Sequence, residues 1–216
     1  MRIAPLEKIN GLFIWVNRLF ILNICWIIGI ICGLGVLGIF PASTAALSIA
    51  REWLNDGEVK VRKEFISRYK KDFVSANKLG FIWMTGLMLV FLNYVALTKG
   101  FSTNAVVVFS YYLVIVIYAS LSVHLFLLHT YFQTGTVQYF KNALIIGITK
   151  MPVTILLIGI HSVLLYAALL LPAFFLFFYG SLAAFLTVAV TNKMYQRLGE
   201  KRDIQQESIH YKTIEE

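Results

Sequence analysis

Few polar side chains that could take part in chemistry lie within the apolar parts of this chain. The candidates within predicted crossings are two asparagines and two histidines, Asn23, Asn93, His124 and His161, whereas His129 is expected at the membrane interface near the inner end of its helix. Two histidines without a nearby carboxylate or thiolate make a weak metal site, so the sequence predicts no metal and no other cofactor. An unpaired polar group is unfavourable among apolar residues, so we expect each of these side chains to hydrogen-bond to a neighbouring helix.

The motifs typical of common catalytic sites do not occur in the sequence. There is no P-loop, GxSxG, HExxH or CxxC pattern. The long apolar stretches contain no Asp, Glu, Lys or Arg, whereas proton- and sodium-coupled carriers usually place ionisable residues in the bilayer. The sequence therefore indicates a protein that is neither an enzyme nor a charge-driven carrier, and it leaves a pathway for a neutral solute open.

The elements that must position these side chains are long apolar helices. Four stretches carry no charged residue, at 19–50, 79–98, 100–140 and 151–192, and 59% of the 216 residues are hydrophobic. A helix needs about 20 apolar residues to cross the hydrocarbon of a bilayer. The sequence therefore predicts an all-α, polytopic membrane helix bundle.

Lysine and arginine predict how the helices are oriented, because they concentrate on the cytoplasmic side of a membrane. Segment 51–78 holds eight basic and five acidic residues and is placed inside. Four crossings follow, at 79–98, 105–132, 151–171 and 173–192. The last two are separated at Pro172 because proline disfavours a helical residue before it and suits the start of a helix.

The arrangement of residues 19–54 stays open between one crossing, a hairpin and a re-entrant loop. A single crossing places four basic residues outside and fifteen inside, whereas a hairpin places one outside and eighteen inside. The charge distribution favours the hairpin, with a short helix over 41–54 that starts at Pro41. That helix would be about 21 Å long. We therefore expect five crossings, a short helix that can make a sixth, and both termini in the cytoplasm.

The predicted domain organisation is one membrane-embedded domain and a tail. Residues 1–192 form the domain, which includes a cytoplasmic amphipathic segment at 51–78. Residues 193–216 form a cytoplasmic tail, with the last helix ending near Leu198. Small residues and a proline in the first part of the domain let helix backbones approach closely, and we expect packing at Gly29, Gly33, Pro41 and Ala45.

The basic segment has two faces. Apolar residues recur every four positions at Val61, Phe65, Tyr69 and Phe73, and basic residues fall elsewhere, at Arg62, Lys63, Lys70 and Lys71. This pattern is typical of a helix that lies in the membrane interface. A docking surface for a cytoplasmic partner is the alternative. The net charge of +8 is expected to face anionic inner-leaflet lipids rather than nucleic acid.

Several short motifs of the chain resemble the YesL-like family of bacterial integral membrane proteins. These are Asn23-x-x-Trp26, Gly38-x-x-Pro41, Ala45-Ala46-Leu47, the basic segment with Phe65 and Phe73, and Phe140-Lys141-Asn142-Ala143-Leu144. The family has no assigned biochemical activity, and its members are often encoded beside carbohydrate-uptake and polysaccharide-degradation genes in Gram-positive bacteria. The resemblance supplies no catalytic residues.

The resemblance implies a multi-pass protein of the bacterial plasma membrane that is accessory or regulatory to another membrane system, such as carbohydrate uptake. Its expected partners are membrane lipids, and either a transporter subunit or further copies of the same chain. The alternative function is a small pore or carrier for a neutral solute, which would need a continuous polar cavity.

Overall fold

The computed structural model describes the backbone at 3–55, 57–99 and 104–215, and the side chains at 11, 13–55, 57–99 and 104–200. Within these ranges the chain forms helices and no strand, so the predicted all-α class is confirmed. The elements are α1 (Ile3–Cys32), α2 (Val36–Leu54), α3 (Val61–Thr98), α4 (Ala105–Tyr131), α5 (Thr136–Thr149), α6 (Met151–Leu170), α7 (Pro172–Phe174), a π-helical turn (Phe175–Tyr179) and α8 (Gly180–Glu215).

Five helical segments of the described chain are long and apolar enough to cross a membrane. They are Phe13–Cys32, Val61–Thr98, Ala105–Tyr131, Met151–Leu170 and Pro172–Glu200. Large apolar side chains on them are exposed in the isolated chain, for example Phe91, Val106 and Leu169. Contiguous exposed apolar surface of this kind marks contact with lipid or with another protein. The protein is therefore a membrane helix bundle with five candidate crossings.

The short helix α2 lies at the centre of the bundle. It contacts α1, α3, α4 and α8, and twelve of its residues are buried, including Thr44 and Ser48. Residues 19–54 thus form a helical hairpin, whose turn places Leu34 and Gly35 at φ 55° and 78°. Because protein surrounds α2 on several sides, this helix does not need the uniformly apolar surface of a lipid-facing crossing.

The predicted start of this helix at Pro41 is wrong, because α2 begins at Val36 and contains Pro41. Proline has no backbone N–H, so the carbonyl of Leu37 loses its normal helical partner. The Asn77 side chain of α3 replaces it, since Nδ2 donates to the Leu37 carbonyl over 3.0 Å. The chain thus tolerates a proline inside α2 because another helix supplies the missing donor.

The basic segment is not a separate helix in the membrane interface. Its residues from Val61 onward are the first half of α3, which continues without a break to Thr98. The apolar stripe of this half packs against α1 and α2: Phe65 is 3% exposed, and the Tyr69 hydroxyl donates to the Gly29 carbonyl over 2.8 Å. A four-residue spacing identifies an apolar helix face but cannot tell a protein neighbour from a lipid one.

The second half of the chain follows the predicted order with two differences. The chain breaks at Leu171, between α6 and α7, as Pro172 predicts. The short helix α5, which we did not predict, packs against α4. The last helix does not end near Leu198, because α8 runs through residue 192 to Glu215. Tyr195 is fully buried, so this part of the expected tail packs within the bundle.

Candidate functional site

A cavity of about 780 Å³ lies where α2 ends and α3 begins, and we call it the basic-end cavity. Its walls come from the last turn of α2, the first half of α3, the end of α4 and the connection to α5. The acidic, basic and histidine side chains that line it are Arg51, Glu64, Arg68, Lys71, Asp72 and His129. No other described cavity brings as many charged groups together.

Arg51 connects the end of α2 to the end of α4. Its Nη1 atom donates to the carbonyl of Thr130, one of the last-turn carbonyls that a helix cannot satisfy itself. Its guanidinium lies over the Tyr131 ring, 4.8 Å from the centroid. Burial lowers the pKa of the Arg51 guanidinium from its ordinary value, and the neighbouring Tyr131 opposes this shift. An arginine remains protonated at neutral pH nonetheless.

Arg68 connects α3 to α2. Its Nη2 atom bonds to the Glu52 carboxylate, and its Nε atom lies 3.7 Å from Oε2 of Glu64. These are the two ion pairs among the described side chains, so Arg51 has no carboxylate partner within that part of the chain. The cavity therefore holds one neutralised guanidinium and one that is not paired with an acid.

The predicted basic residues of α3 are all exposed. They are Arg62, Lys63, Lys70 and Lys71. Lys71 also lines the basic-end cavity, whereas Arg62 and Lys70 border an apolar groove of about 540 Å³ between α1 and α3. The structure thus presents these four cations on one rigid helix.

Asn23 is completely buried and holds the π-helical turn in place. Its Nδ2 atom donates to the carbonyls of Phe175 and Leu176 over 3.3 and 2.7 Å. Its Oδ1 atom accepts from the backbone N–H groups of Gly180 and Ser181 over 2.8 and 3.1 Å. One amide therefore serves four backbone groups at a point where the regular helical ladder is interrupted. This is the interhelical role expected of a buried polar group.

His124 is fully buried in a chain of hydrogen bonds that joins the four helices α4, α5, α6 and α8. Its Nε2 lies 3.0 Å from Thr154 Oγ1, and the Thr154 hydroxyl donates onward to the carbonyl of Gly147 over 3.0 Å. Because that hydroxyl has only one proton, Nε2 of His124 is the donor to it. Nδ1 then accepts from the Tyr195 hydroxyl over 2.8 Å. Every polar atom of the imidazole is satisfied by protein.

His161 and Asn93 have different surroundings from each other. His161 Nδ1 donates to the carbonyl of Leu157 over 2.9 Å, and its Nε2 lies 3.4 Å from Thr187 Oγ1. Asn93 is exposed on α3 and donates to the Leu89 carbonyl of its own helix over 2.9 Å. Within the described residues Asn93 therefore joins no neighbouring helix, and His161 does not pair with His124.

A second cavity, of about 620 Å³, lies at the middle of the bundle, and we call it the central cavity. His161, Ser43, Ser122 and Thr187 supply its polar groups, and most of its remaining wall is apolar. Ser43 already accepts a hydrogen bond from Trp26 over 3.2 Å. Among the described residues, no group of three or more His, Cys, Asp and Glu side chains could hold a metal ion.

The predicted small packing residues lie at the contact between α1 and α2. A side chain added at Gly33 would collide with the backbone of Gly38, and one added at Gly29 would lie 3.3 Å from Ala42. Ala45 is fully buried. The two helices of the hairpin therefore approach closely because glycine and alanine occupy their contact face.

Comparisons with known proteins agree with this membrane architecture. A family described as "Protein of unknown function, DUF624" matches residues 19–94. The uncharacterized protein YesL of Bacillus subtilis strain 168 is 25% identical over 196 residues, which cover 90% of this chain and 93% of YesL. The predicted resemblance to the YesL-like family is confirmed. The uncharacterized protein YteU of the same organism is 25% identical over 191 residues, covering 86% of each chain. No solved structure gives a significant match.

The DUF624 match at 19–94 includes α2 and most of α3, and therefore Arg51, Arg68 and Lys71 of the basic-end cavity. Sequence reasoning counted Arg51 and Arg68 only as charges that orient the helices, and it placed Lys71 on the basic face of the cytoplasmic segment. It also missed Asn77 and Tyr195, which are buried partners of other helices. A buried arginine could have been suspected from its position directly after an apolar run, but nothing local identifies the residue that it contacts.

Proposed function

We propose that this protein is a non-enzymatic accessory or regulatory protein of a bacterial plasma membrane. In this proposal both termini and the basic half of α3 lie in the cytoplasm, and the exposed basic residues dock a subunit of another membrane system. Carbohydrate uptake is the proposed system, and it rests on the YesL-like resemblance alone. Anionic inner-leaflet lipids are proposed as the second partner, because they attract juxtamembrane basic residues.

The observation that carries this proposal is the construction of α3. One face of its first half is fixed to α1 by Phe65 and Tyr69, and the rest of its surface presents exposed cations. The same helix continues without interruption to Thr98. A partner bound to the basic face would therefore be attached rigidly to a membrane-crossing segment, as an accessory subunit requires.

The test is co-purification of the intact protein from native membranes after brief chemical cross-linking. We expect a transporter subunit in a stoichiometric amount, and we expect its recovery to fall with the charge-reversing pair Arg62→Glu and Lys63→Glu. The pair Lys193→Glu and Arg197→Glu is the matched control, since it changes the same charge on exposed residues of α8. No stoichiometric transporter subunit, or equal losses with both pairs, would contradict the proposal.

A small carrier for a neutral solute is the second candidate function, and the central cavity favours it. Its hydroxyl and imidazole groups could bind a neutral polar molecule inside an otherwise apolar wall. Reconstituted vesicles that contain the purified protein would then release glycerol faster than empty vesicles, and Ser43→Leu would abolish the difference. Equal release from both kinds of vesicle would exclude glycerol transport and leave the accessory function.

A further inference from the structure

We propose that the basic-end cavity binds a phosphoryl group. This site goes beyond the accessory function, which concerns the outer face of α3 rather than the cavity behind it. The first reason is Arg51, a half-buried guanidinium with no carboxylate partner among the described side chains. Taking a cation out of water is unfavourable unless an anion or several hydrogen bonds compensate, and Thr130 supplies only one acceptor.

The second reason is a cluster of buried polar atoms that make no hydrogen bond. In the described part of the chain, buried side-chain atoms that lack a hydrogen bond include Nε of Arg68, Nδ1 of His129 and Oγ1 of Thr134. All three residues line the basic-end cavity. Buried polar groups in folded proteins are almost always paired. Three such atoms around one cavity indicate that its occupant is polar.

The chemistry of the lining favours an anion as that occupant. Arg51 and Lys71 supply cationic donors that have no ion-pair partner among the described side chains, whereas Arg68 is paired with Glu52 and Glu64. Asp72 is the remaining acid in the lining, so two unpaired cations face one unpaired acid there. The Ser75 hydroxyl donates to the carbonyl of Asp72 over 3.1 Å, so Nε2 of His129 is the donor to Ser75, 3.1 Å away, and Nδ1 of the neutral imidazole is an acceptor. The donors for an anion are therefore the cationic side chains and the Thr134 hydroxyl.

A phosphoryl group suits this donor set better than a carboxylate does. It offers three or more acceptor oxygens, and the planar fork of an arginine matches two of them at once. The cavity volume of about 780 Å³ exceeds that of the group itself, so there is space for the molecule that carries it. That molecule is either a soluble phosphate ester or an anionic lipid whose headgroup enters from the adjacent bilayer.

The experiment uses the full-length protein purified in a maltoside detergent, which contains no phosphate. In one arm, inorganic phosphate is titrated in a calorimeter. In the other, short-chain phosphatidylglycerol is added, and its binding is measured by native mass spectrometry. We expect saturable binding in at least one arm, and the responding arm distinguishes a soluble source from a lipid one.

Two adjacent lysines provide the decisive comparison. Lys70 and Lys71 are both exposed, but only Lys71 lines this cavity. We expect Lys71→Gln to raise the dissociation constant about tenfold, because it removes one charge-assisted hydrogen bond. Lys70→Gln should change the dissociation constant by less than about twofold. Equal losses in both variants would show a general attraction to positive charge and would overturn the proposal.

Thr134→Val gives a second test that is independent of charge. The Thr134 hydroxyl has no partner within the described protein, so its removal should leave the thermal unfolding temperature unchanged. Its removal should still raise the dissociation constant about fivefold, since the hydroxyl is available to the ligand. A variant that binds as tightly as the wild type, or an absence of saturable binding in both arms, would also overturn the proposal.

Discussion

The hydrogen-bond chain through His124 allows a quantitative test of how the helices are held together. His124→Leu removes the bonds to Tyr195 and Thr154. Interhelical hydrogen bonds in membranes each contribute about 0.6–1 kcal/mol, so these two account for about 1–2 kcal/mol. The Thr154 hydroxyl keeps its carbonyl acceptor, but the fully buried Tyr195 hydroxyl loses its partner, which adds about 1 kcal/mol. We expect a total loss of about 2–3 kcal/mol.

The pairwise part of this loss can be isolated with a double-mutant cycle. Tyr195→Phe alone should lower the free energy of unfolding by about 1 kcal/mol. The double variant His124→Leu with Tyr195→Phe should lose less than the sum of the single variants by about 2 kcal/mol, because both single variants lose the bond between the two side chains and the double variant leaves no hydroxyl unpaired. The free energies are measured by reversible unfolding with sodium dodecyl sulfate in mixed micelles.

The matched control is Tyr166→Phe, which removes a hydroxyl from a tyrosine of α6 that is 65% exposed. Its free energy of unfolding should stay within about 0.5 kcal/mol of the wild-type value.

Additive effects of His124→Leu and Tyr195→Phe would refute the reasoning, because they would mean that the two side chains do not interact.

Three further predictions concern other parts of the bundle. Asn23→Leu should lower the free energy of unfolding by about 2–4 kcal/mol, since four backbone groups at the π-helical turn lose their partner; the same detergent titration measures this. Asn77→Leu should be destabilising in the natural sequence. It should be much less destabilising in combination with Pro41→Ala, because the backbone N–H of alanine can donate to the Leu37 carbonyl. A cysteine introduced at position 6, in a chain without Cys25 and Cys32, should resist an impermeant thiol reagent in intact cells, because eighteen basic residues lie inside and one outside in the hairpin arrangement.

Each of these predictions has its own control. Asn93→Leu replaces an exposed asparagine that bonds only within its own helix, and it should not reproduce the loss caused by Asn23→Leu. For Asn77, equal losses with and without Pro41→Ala would show that the amide does not compensate for the proline. In the thiol experiment, a known internal cysteine serves as the control and should be labelled little in intact cells. If the cysteine at position 6 were labelled readily under these conditions, the N-terminus would lie outside.

The sequence was sufficient for features that depend on local pattern. Uncharged stretches of about 20 residues predict crossings because the thickness of a bilayer fixes their length. Pro172 predicts the break between α6 and α7 because proline restricts its own backbone and that of the preceding residue. Gly29 and Gly33 predict a close helix contact because they have no side chain to prevent it. The helical class and five candidate crossings follow from such signals, and the structure contains them.

The basic-end cavity could be predicted only in part. The cations of α3 are visible as a cluster in the sequence, and their separation from the apolar stripe follows from helical spacing. The contribution of Arg51 could not be foreseen, because its acceptor, the Thr130 carbonyl, is 79 residues away. The buried atoms without a hydrogen bond, Nδ1 of His129 and Oγ1 of Thr134, could not be predicted either. Their burial depends on how α3, α4 and the connection to α5 pack together.

The sequence by itself thus determined which segments are helical and apolar enough to enter a membrane, and which of their positions carry small residues. Only the tertiary structure decided that α2 is the central helix, that the stripe of α3 faces α1, and which partners satisfy the polar groups. His124 and Tyr195 are 71 positions apart, and Asn23 and Leu176 are 153 apart. A hydrogen bond between such residues depends on the packing of whole helices, and local spacing carries no information about that packing.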